Sequence, residues 1–211
     1  HLLWMEDIMA YLLEELGWPD VADYLQHDDR LILVVGSTEQ HGRHMTFASD
    51  VWQPWEIARR VSERTGVLLA PPLNYGMSLH HLAFPGSLSL RPHTLASVIV
   101  DLLESAYVHG FRRILLLNGH GGNTALLDIV TRSARAKYQM IAAHASWFAF
   151  ADKDGFDPEK LAHDLHAGDL ETSASLYQIL VKQIVNWVGS RKRKSKKVSN
   201  SCINRQRPTG S

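Results

Sequence analysis

Residues 31–35 read LILVV, a continuous apolar run that is rich in branched side chains and is followed by a glycine. Such a run predicts a strand that is buried on both faces of a sheet. Residues 113–118, RILLLN, have the same character and lead directly into the turn GHGGN. Two more short apolar runs predict strands at 67–70, which ends before two prolines, and at 139–145.

Segments with the helical spacing of apolar residues separate these strands. The first segment, at 3–16, is predicted to end at Gly17 and Pro19. The other predicted helices lie at 51–65, 93–109, 124–137 and about 169–188. Strands that alternate with helices indicate an α/β fold, in which a parallel or mostly parallel sheet carries helices on both faces.

The composition is that of a folded chain of ordinary size. Its 211 residues are 45% hydrophobic and 21% charged, which is typical of globular proteins, and no apolar run reaches the length of about 18 residues that spans a bilayer. The start of the chain is acidic and amphipathic, unlike a signal peptide. Cys202 is the single cysteine, so no internal disulfide can form. We therefore expect a cytoplasmic protein without a membrane partner.

The net charge of zero conceals an uneven distribution. Residues 191–211 hold eight lysines or arginines and no acid, which leaves 14 basic and 22 acidic residues in the rest of the chain. Because this segment has few large apolar residues, we predict a disordered basic tail after a single domain at 1–190. Such a tail can be an arm for nucleic acid or a membrane surface, or a solvated end. The acidic body repels polyanions, so we expect no nucleic-acid partner.

The loop after the first predicted strand, GSTEQHGRHMTFASD at 36–50, is rich in metal-binding types of side chain. Glu39, His41, His44 and Asp50 fall within twelve residues. Carboxylate and imidazole groups are ligands that suit Zn, Mn or Fe. Glu39 and His41 are two residues apart, so their side chains point the same way in an extended segment. On this motif alone, a metal site and a merely polar loop both remain open.

Two further motifs carry candidate functional groups. NGHGGN follows a predicted strand and has His120 at its apex. Its spacing and its lack of a lysine do not fit a phosphate-binding loop, and a packed structural turn is the alternative. HAGDLETS, which opens the last predicted helix, offers His166, Asp169 and Glu171, and helix capping by acids is its alternative. Because ligands bind at the carboxyl ends of parallel strands, we expect the three motifs to form one site.

These motifs, together with YGMSLHHLAFPGS at 75–87, follow one another in the order that is typical of the creatininase (creatinine amidohydrolase) family. The chain resembles that family over about 31–180. The resemblance implies a three-layer α/β metalloenzyme with a two-metal centre that hydrolyses C–N bonds of amides. It also implies a homo-oligomer, since enzymes of the family commonly assemble as hexamers.

The resemblance further implies roles for single residues. Five of them match metal ligands, with Asp50 as the carboxylate shared by both ions: Glu39, His41, Asp50, His120 and Glu171. His166 matches the catalytic general acid. The residues that match the substrate pocket are Ser78, His81, Gly121 and Gly122. Creatininase proper has a glutamate where this chain has Gly122, so the resemblance is to the wider family rather than to a creatinine-specific enzyme.

We therefore predict a metal-dependent amidohydrolase that cleaves a C–N bond of a small cyclic amide or formamide-type substrate with a metal-activated water. Its predicted cofactors are two divalent ions of Zn, Mn or Fe, and its predicted partners are a small-molecule substrate and further copies of the chain. His166 would protonate the leaving nitrogen. Two alternatives stay open, namely a peptidase that acts on short or modified peptides and a non-catalytic oligomeric metal-binding relative.

Overall fold

The computed structural model describes residues 10–149 and 166–177. The strands are β1 (Arg30–Val35), β2 (Leu68–Leu73), β3 (Arg113–Asn118) and β4 (Ile141–Ser146). The helices are α1 (Trp18–Tyr24), α2 (Ser49–Thr65), α3 (Pro92–His109), α4 (Thr124–Tyr138) and α5, which is helical over 169–177. Single 3-10 turns lie at Leu13–Glu15, Leu79–His81, Gly121–Asn123 and Trp147–Ala149.

The described sheet is parallel throughout, with its strands in the order β2-β1-β3-β4. Leu31 of β1 pairs with Leu68 of β2 on one side and with Ile114 of β3 on the other. Ile114 in turn pairs with Ala142 of β4. The LILVV run thus occupies a central strand, and all five of its residues are buried. The predicted parallel sheet is confirmed.

Alternate residues of β1 belong to two separate cores, one on each face of the sheet. Leu31, Leu33 and Val35 pack with side chains of α3 and α4, whereas Ile32 and Val34 pack with side chains of α2. The period of two along a strand sends these two sets to opposite faces. Full burial of one such aliphatic side chain stabilises the fold by about 1.5–3 kcal/mol. Helices therefore cover both faces, which confirms the predicted three-layer α/β architecture.

The predicted helix at 3–16 is wrong in its described part, because residues 10–12 are not helical and only a single 3-10 turn follows them. The carbonyl oxygen of Tyr11 accepts a hydrogen bond from the Leu69 N–H at 2.9 Å. Leu69 belongs to β2, an edge strand of the described sheet, whose backbone groups offer the segment partners that compete with a helix. Residues 3–9 lie outside the described residues.

Gly17 and Pro19, the predicted end of that helix, instead begin α1. Gly17 directly precedes the helix, and its N–H donates to the Asp20 carboxylate at 2.9 Å. Pro19 lies in the first helical turn, where the backbone N–H groups have no partner within the helix and a proline is tolerated. The same residues thus mark a helix start rather than a helix end.

Two strand boundaries also differ from the prediction. β2 runs through Pro71 and Pro72 instead of ending before them, because an edge strand tolerates residues without an N–H. β4 begins at Ile141 rather than at residue 139, since Gln139 adopts a left-handed conformation with φ of 53° at the end of α4. The other strands and helices that were predicted within the described residues begin and end within two residues of the predicted positions.

Two of the sequence-based predictions concern residues outside the described ranges, one of them only in part. The predicted tail at 191–211 and the second half of the last predicted helix lie outside the described residues. Within the described ranges, no helix combines the length and the apolar character that crossing a bilayer requires.

The first turn of α2 lies directly against the ends of β1 and β3. A Cβ atom on Gly119, which follows β3, would lie 1.7 Å from the carbonyl oxygen of Asp50. A Cβ atom on Gly36, which follows β1, would lie 2.7 Å from the same oxygen. The two glycines therefore allow α2 to approach the sheet closely, which places Asp50 at the carboxyl ends of the strands.

Replacing Gly119 with alanine should destabilise the protein, because the added methyl group collides with the backbone of α2. We expect the free energy of unfolding to fall by about 1–3 kcal/mol, as for other overpacked sites, and urea denaturation measures it. Gly121→Ala is the matched control, since a Cβ atom at Gly121 meets no atom within 4 Å. Equal stability of the two variants would contradict the close approach of α2.

Candidate metal centre

Predicted site residues from three separate motifs meet at the carboxyl ends of β1 and β3. Glu39 and His41 lie in the loop after β1, and Asp50 lies in the first turn of α2. His120 follows β3, and Glu171 lies in α5. Loops at this edge of a parallel sheet converge, so residues that are far apart in the chain become neighbours. The structure brings all five predicted ligands together, and their roles as ligands stay predictions.

Asp50 belongs to two groups of potential ligand atoms at once. One group consists of Glu39, Asp50 and His120, and the other consists of His41, Asp50 and Glu171, with the ligand atoms of each group within 4.8 Å of one another. The two carboxylate oxygens of Asp50 divide between the groups. Oδ1 lies 3.1 Å from His41 Nε2, and Oδ2 lies 3.3 Å from His120 Nδ1. The geometry thus offers two adjacent positions that share one carboxylate.

Backbone carbonyl groups determine which nitrogen of each histidine faces the carboxylates. His41 Nδ1 lies 3.0 Å from the carbonyl oxygen of Glu39, and His120 Nε2 lies 3.1 Å from that of Met77. A carbonyl oxygen only accepts hydrogen bonds, so each of these nitrogens carries a hydrogen. The other nitrogen of each ring faces Asp50. When the ring is neutral that nitrogen is bare and can bind a metal ion. This arrangement is the one that orients a histidine toward a metal ion.

Two carboxylate oxygens of the centre accept no hydrogen bond from any described residue. They are Glu39 Oε1 and Asp50 Oδ2, and both are buried. His120 Nδ1 lies 3.2 Å from the first and 3.3 Å from the second. Burial of carboxylate oxygens without compensation is costly. A divalent cation among two carboxylates and a bare imidazole nitrogen provides that compensation, so the donor set fits a metal ion.

The electrostatics of the centre also favour positive charge. Burial lowers the pKa of His120, but the carboxylates of Asp50 and Glu39 outweigh burial and raise this pKa to about 10. Without a cation the ring is therefore protonated at neutral pH, and a metal ion would take the place of the proton on Nδ1. Burial raises the pKa of Glu39, but the charge of His120 and the hydroxyl group of Ser78 bring this pKa down to about 2. Glu39 is therefore ionised at physiological pH and can act as an anionic ligand.

Hydrogen bonds from α2 hold α5, which carries Glu171. Gln53 Nε2 donates to the carbonyl oxygen of Glu171 at 2.9 Å and to Ser175 Oγ at 2.8 Å. The Ala167 N–H donates to Glu171 Oε2 at 2.6 Å, and the same oxygen lies 3.9 Å from His41 Nε2. Burial raises the pKa of Glu171, although the hydrogen bond from Ala167 acts in the opposite direction.

Two serines hold the second carboxylate oxygen of Glu39. Ser37 Oγ donates to Glu39 Oε2 at 3.2 Å, and Ser78 Oγ donates to the same oxygen in a short hydrogen bond. Ser78 is completely buried. The structure thus places this predicted substrate-binding residue against a predicted metal ligand, where its hydroxyl group fixes the carboxylate.

His166 and His81 also reach Glu39. His166 Nδ1 lies 3.5 Å from Glu39 Oε1, and His81 Nε2 lies 3.7 Å from the same oxygen. The two rings stack with their centroids 4.5 Å apart. Burial lowers the pKa of His81; Glu39 opposes this shift and His166 reinforces it. The predicted catalytic residue and a predicted substrate-binding residue are therefore neighbours.

The two predicted substrate-binding glycines differ in the space around them. A Cβ atom on Gly122 would lie 2.4 Å from His120 Nε2 and 2.8 Å from the carbonyl oxygen of Met77. These are the two atoms whose hydrogen bond orients the His120 ring. A Cβ atom on Gly121 would meet no atom within 4 Å. Gly122 thus leaves room for the His120 hydrogen bond, whereas Gly121 borders open space.

His44 and Asp169, two further candidates from the motifs, belong to none of the ligand groups within the described ranges. His44 Nε2 lies 3.1 Å from Thr172 Oγ1 on α5. Asp169 is exposed in the first turn of α5, where an acidic residue interacts favourably with the helix dipole.

The centre also contains four polar residues whose roles the motifs do not indicate: Ser37, Gln40, Asn118 and Asn123. Asn123 Nδ2 donates to the carbonyl oxygen of Gly36 at 3.1 Å, and Asn123 Oδ1 accepts from the Met77 N–H at 2.9 Å. Asn123 therefore ties the loops after β1 and β2 to the turn after β3. Asn118 Nδ2 donates to the carbonyl oxygen of His120 at 2.8 Å. The sequence hints at the roles of Asn118 and Asn123 only through their position, since both asparagines flank the glycine turn.

Comparison with known proteins relates the chain to one family. A family model described as "Creatininase: Creatinine amidohydrolase" matches residues 14–199. Creatinine amidohydrolase of Pseudomonas putida is 37% identical over 131 residues, which cover 57% of this chain and 50% of that protein. Mycofactocin precursor peptide peptidase of Mycobacterium ulcerans is 31% identical over 175 residues, which cover 79% of this chain and 65% of that protein. The chain thus spans between half and two thirds of the length of these relatives.

Comparison of the fold with solved structures relates the chain to the same family. A solved structure described as "Creatininase Mn" superposes with a TM-score of 0.66 at 31% sequence identity, and the match covers 78% of this chain and 71% of that chain. Sequence and fold therefore agree with the resemblance that the four motifs indicate.

Replacing Asn123 with aspartate should destabilise the loops that surround the centre. The change keeps the shape of the side chain but replaces the donor to Gly36 with an acceptor, so two buried oxygens face each other. We expect the free energy of unfolding, measured in urea, to fall by about 1–3 kcal/mol. Asn74→Asp makes the same chemical change at an exposed position and should change stability by less than about 0.5 kcal/mol. A stable Asn123→Asp variant would show that these hydrogen bonds do not hold the loops.

Proposed function

The chain belongs to the creatininase family, and from this premise we propose that it is a metal-dependent amidohydrolase. The proposed reaction is hydrolysis of a C–N bond in a small cyclic amide or formamide-type substrate. The observation that carries the proposal is the division of the two Asp50 oxygens between two groups of potential ligand atoms. Centres that hold two neighbouring divalent ions are suited to hydrolysis.

The proposed cofactors are two divalent ions. Glu39, Asp50 and His120 would hold one ion, and His41, Asp50 and Glu171 would hold the other. The mixture of carboxylate and imidazole donors suits Zn, Mn or Fe, and the similarity to the structure described as "Creatininase Mn" supports manganese among them. Such ions, when bound, lower the pKa of water and polarise a carbonyl oxygen.

His166 is the proposed proton carrier. Its Nε2 lies 2.6 Å from the carbonyl oxygen of Gln40, so Nε2 carries a hydrogen and Nδ1 is the nitrogen that can exchange a proton. Nδ1 lies 3.5 Å from Glu39 Oε1, within the centre. The leaving nitrogen of an amide needs a proton because an amide anion is a poor leaving group, and an imidazole in this position can deliver it.

Ser78, His81, Gly121 and Gly122 are the proposed substrate residues. His81 presents a ring nitrogen beside Glu39, and Gly121 borders open space, so these two are the best placed to touch a substrate. Ser78 would act through the Glu39 carboxylate that it holds.

The family resemblance also supports proposals about the setting of the reaction. We propose a homo-oligomer, with a hexamer as the expected form, that acts on a small molecule in the cytoplasm without a nucleic-acid partner. The division of the chain into a domain at 1–190 and a basic tail at 191–211 stays a prediction.

A peptidase is the second candidate function. The identity of 31% to mycofactocin precursor peptide peptidase favours it, and a peptide bond is itself an amide C–N bond. The same ligand groups and the same proton carrier would serve both reactions, so the substrate decides between them. The convergence of all five predicted ligands on one centre argues against the third alternative, a non-catalytic metal-binding relative.

Metal content tests the shared carboxylate. Protein purified without chelator or affinity metal should carry about two equivalents of divalent metal per chain. Asp50→Asn should lose most of both ions, because Asp50 belongs to both groups, whereas Glu171→Gln should lose about one. Mass spectrometry of the metals measures each variant. Asp128→Asn is the control, since its carboxylate pairs with Arg132 on α4, and it should keep both ions. Full retention in Asp50→Asn would overturn the assignment.

Turnover tests the proton carrier. His166→Gln should keep its metal but lower kcat by roughly 10²–10⁴-fold, the usual contribution of general acid catalysis. The assay uses the fastest substrate from a panel of creatinine, N-formyl compounds and short peptides. His109→Gln, at an exposed position of α3, is the control and should not change kcat. Unchanged turnover in His166→Gln would remove His166 from the reaction, and loss of metal would make it a ligand beside Glu39 and His41.

A further inference from the structure

Gln40 contacts both histidines that approach Glu39. Gln40 Nε2 lies 3.0 Å from His81 Nδ1, and the backbone carbonyl oxygen of Gln40 lies 2.6 Å from His166 Nε2. One residue therefore touches the first ring with its side chain and the second ring with its backbone. The nitrogens on the far sides of the two rings both face Glu39 Oε1.

The orientation of the Gln40 side-chain amide follows from its other contact. Gln40 Oε1 accepts a hydrogen bond from the Gly42 N–H at 2.9 Å. The group directed at His81 is therefore the NH2 group, which only donates. His81 Nδ1 must then be the accepting nitrogen, and the hydrogen of the neutral ring must lie on Nε2.

The hydrogen of the His166 ring is fixed by the Gln40 carbonyl group. A bare Nε2 at 2.6 Å from a carbonyl oxygen would set two lone pairs against each other, so Nε2 carries the hydrogen. Gln40 Nε2 lies 3.2 Å from the same nitrogen, but it cannot donate to an atom that already carries a hydrogen. Nδ1 of His166 is therefore bare, and it faces Glu39 Oε1 at 3.5 Å.

We propose that Gln40 is a positioning residue that sets the tautomers of His81 and His166, so that His81 presents an N–H donor and His166 a bare nitrogen beside Glu39. The His81 N–H lies 3.7 Å from Glu39 Oε1, which is beyond hydrogen-bond distance, and it donates to no other described residue. It is available to an acceptor on a substrate.

The catalytic role of these two tautomers rests on the proposed function. The His81 N–H would donate to the carbonyl oxygen of an amide substrate, where negative charge develops in the reaction. The bare Nδ1 of His166 would take a proton from the attacking water as the C–O bond forms, and it would pass that proton to the leaving nitrogen as the C–N bond breaks. The ring ends the cycle neutral, with its hydrogen again on Nε2. The arrangement selects substrates that have an acceptor oxygen next to the scissile nitrogen.

Nitrogen-15 spectra of histidine-labelled protein test the tautomers directly. The full chain is loaded with zinc, which is diamagnetic, and the His81 and His166 signals are assigned from His81→Asn and His166→Asn variants. We expect a pyridine-type Nδ1 and a pyrrole-type Nε2 for both rings. Gln40→Glu keeps the acceptor for Gly42 but turns the donor toward His81 into an acceptor, so His81 Nδ1 should become pyrrole-type. Gln40→Met, which has no donor, should leave a mixture of both tautomers at His81.

Gln26→Glu makes the same change at an exposed position of the chain, and it should leave both signals unchanged. A pyrrole-type Nδ1 on His81 or on His166 in the unaltered protein would overturn the proposal. Identical His81 shifts in the unaltered protein and in Gln40→Glu would overturn it as well. The wild-type spectrum decides the point even where a variant fails to fold. A chain that takes up no zinc, or that hydrolyses no amide, refutes the proposed function, and the same spectra of that chain still report the tautomers.

Discussion

The burial of the Asp50 carboxylate between two histidines is the constraint on which the rest of the centre depends. Asp50 is only 2% exposed, and one of its oxygens accepts no hydrogen bond from the described residues. Such a charge is retained only where positive charge compensates it. The first turn of α2 contributes the positive end of a helix dipole, and Gly119 lets that turn reach the strand ends. His41 and His120 then approach from the loops after β1 and β3, each oriented by a backbone carbonyl group.

The central strands could be predicted because each combines an apolar run with a turn directly after it, and few other structures fit that pattern. The errors arose where a tertiary neighbour decides the outcome. The amphipathic spacing at 3–16 fits a helix, but the backbone of β2 offers Tyr11 a partner that the spacing does not reveal. Prolines such as Pro71 and Pro72 interrupt a strand that is hydrogen-bonded to a neighbouring strand on each side. The sequence does not show that β2 lies at an edge of the described sheet, where such residues are tolerated.

The predicted ligands stood out because histidines and carboxylates gathered in short motifs at strand ends. Gln40 and Asn123 carry no comparable signal, since amide side chains are common in loops and turns. Their roles come from partners far away in the chain: Gln40 contacts His81 across 41 positions, and Asn123 contacts Gly36 across 87 positions. The sequence gives even less indication of which nitrogen of a histidine ring carries the hydrogen, because the donors and acceptors around the ring determine the tautomer.

The separation of the ligands along the chain has an energetic consequence. Glu171 and His166 belong to 166–177. Glu39 and His120 come from loops that the sheet positions directly, and Asp50 comes from the first turn of α2. The described contacts between α5 and α2 include two hydrogen bonds from Gln53, and each such bond contributes only about 1 kcal/mol net. An ion held jointly by both parts binds only the assembled centre, and it therefore stabilises the packing of α5 against α2. By the same linkage, every contact that favours this packing strengthens metal binding. Residues such as Gln53 therefore affect the affinity for the ion although they provide no ligand atom.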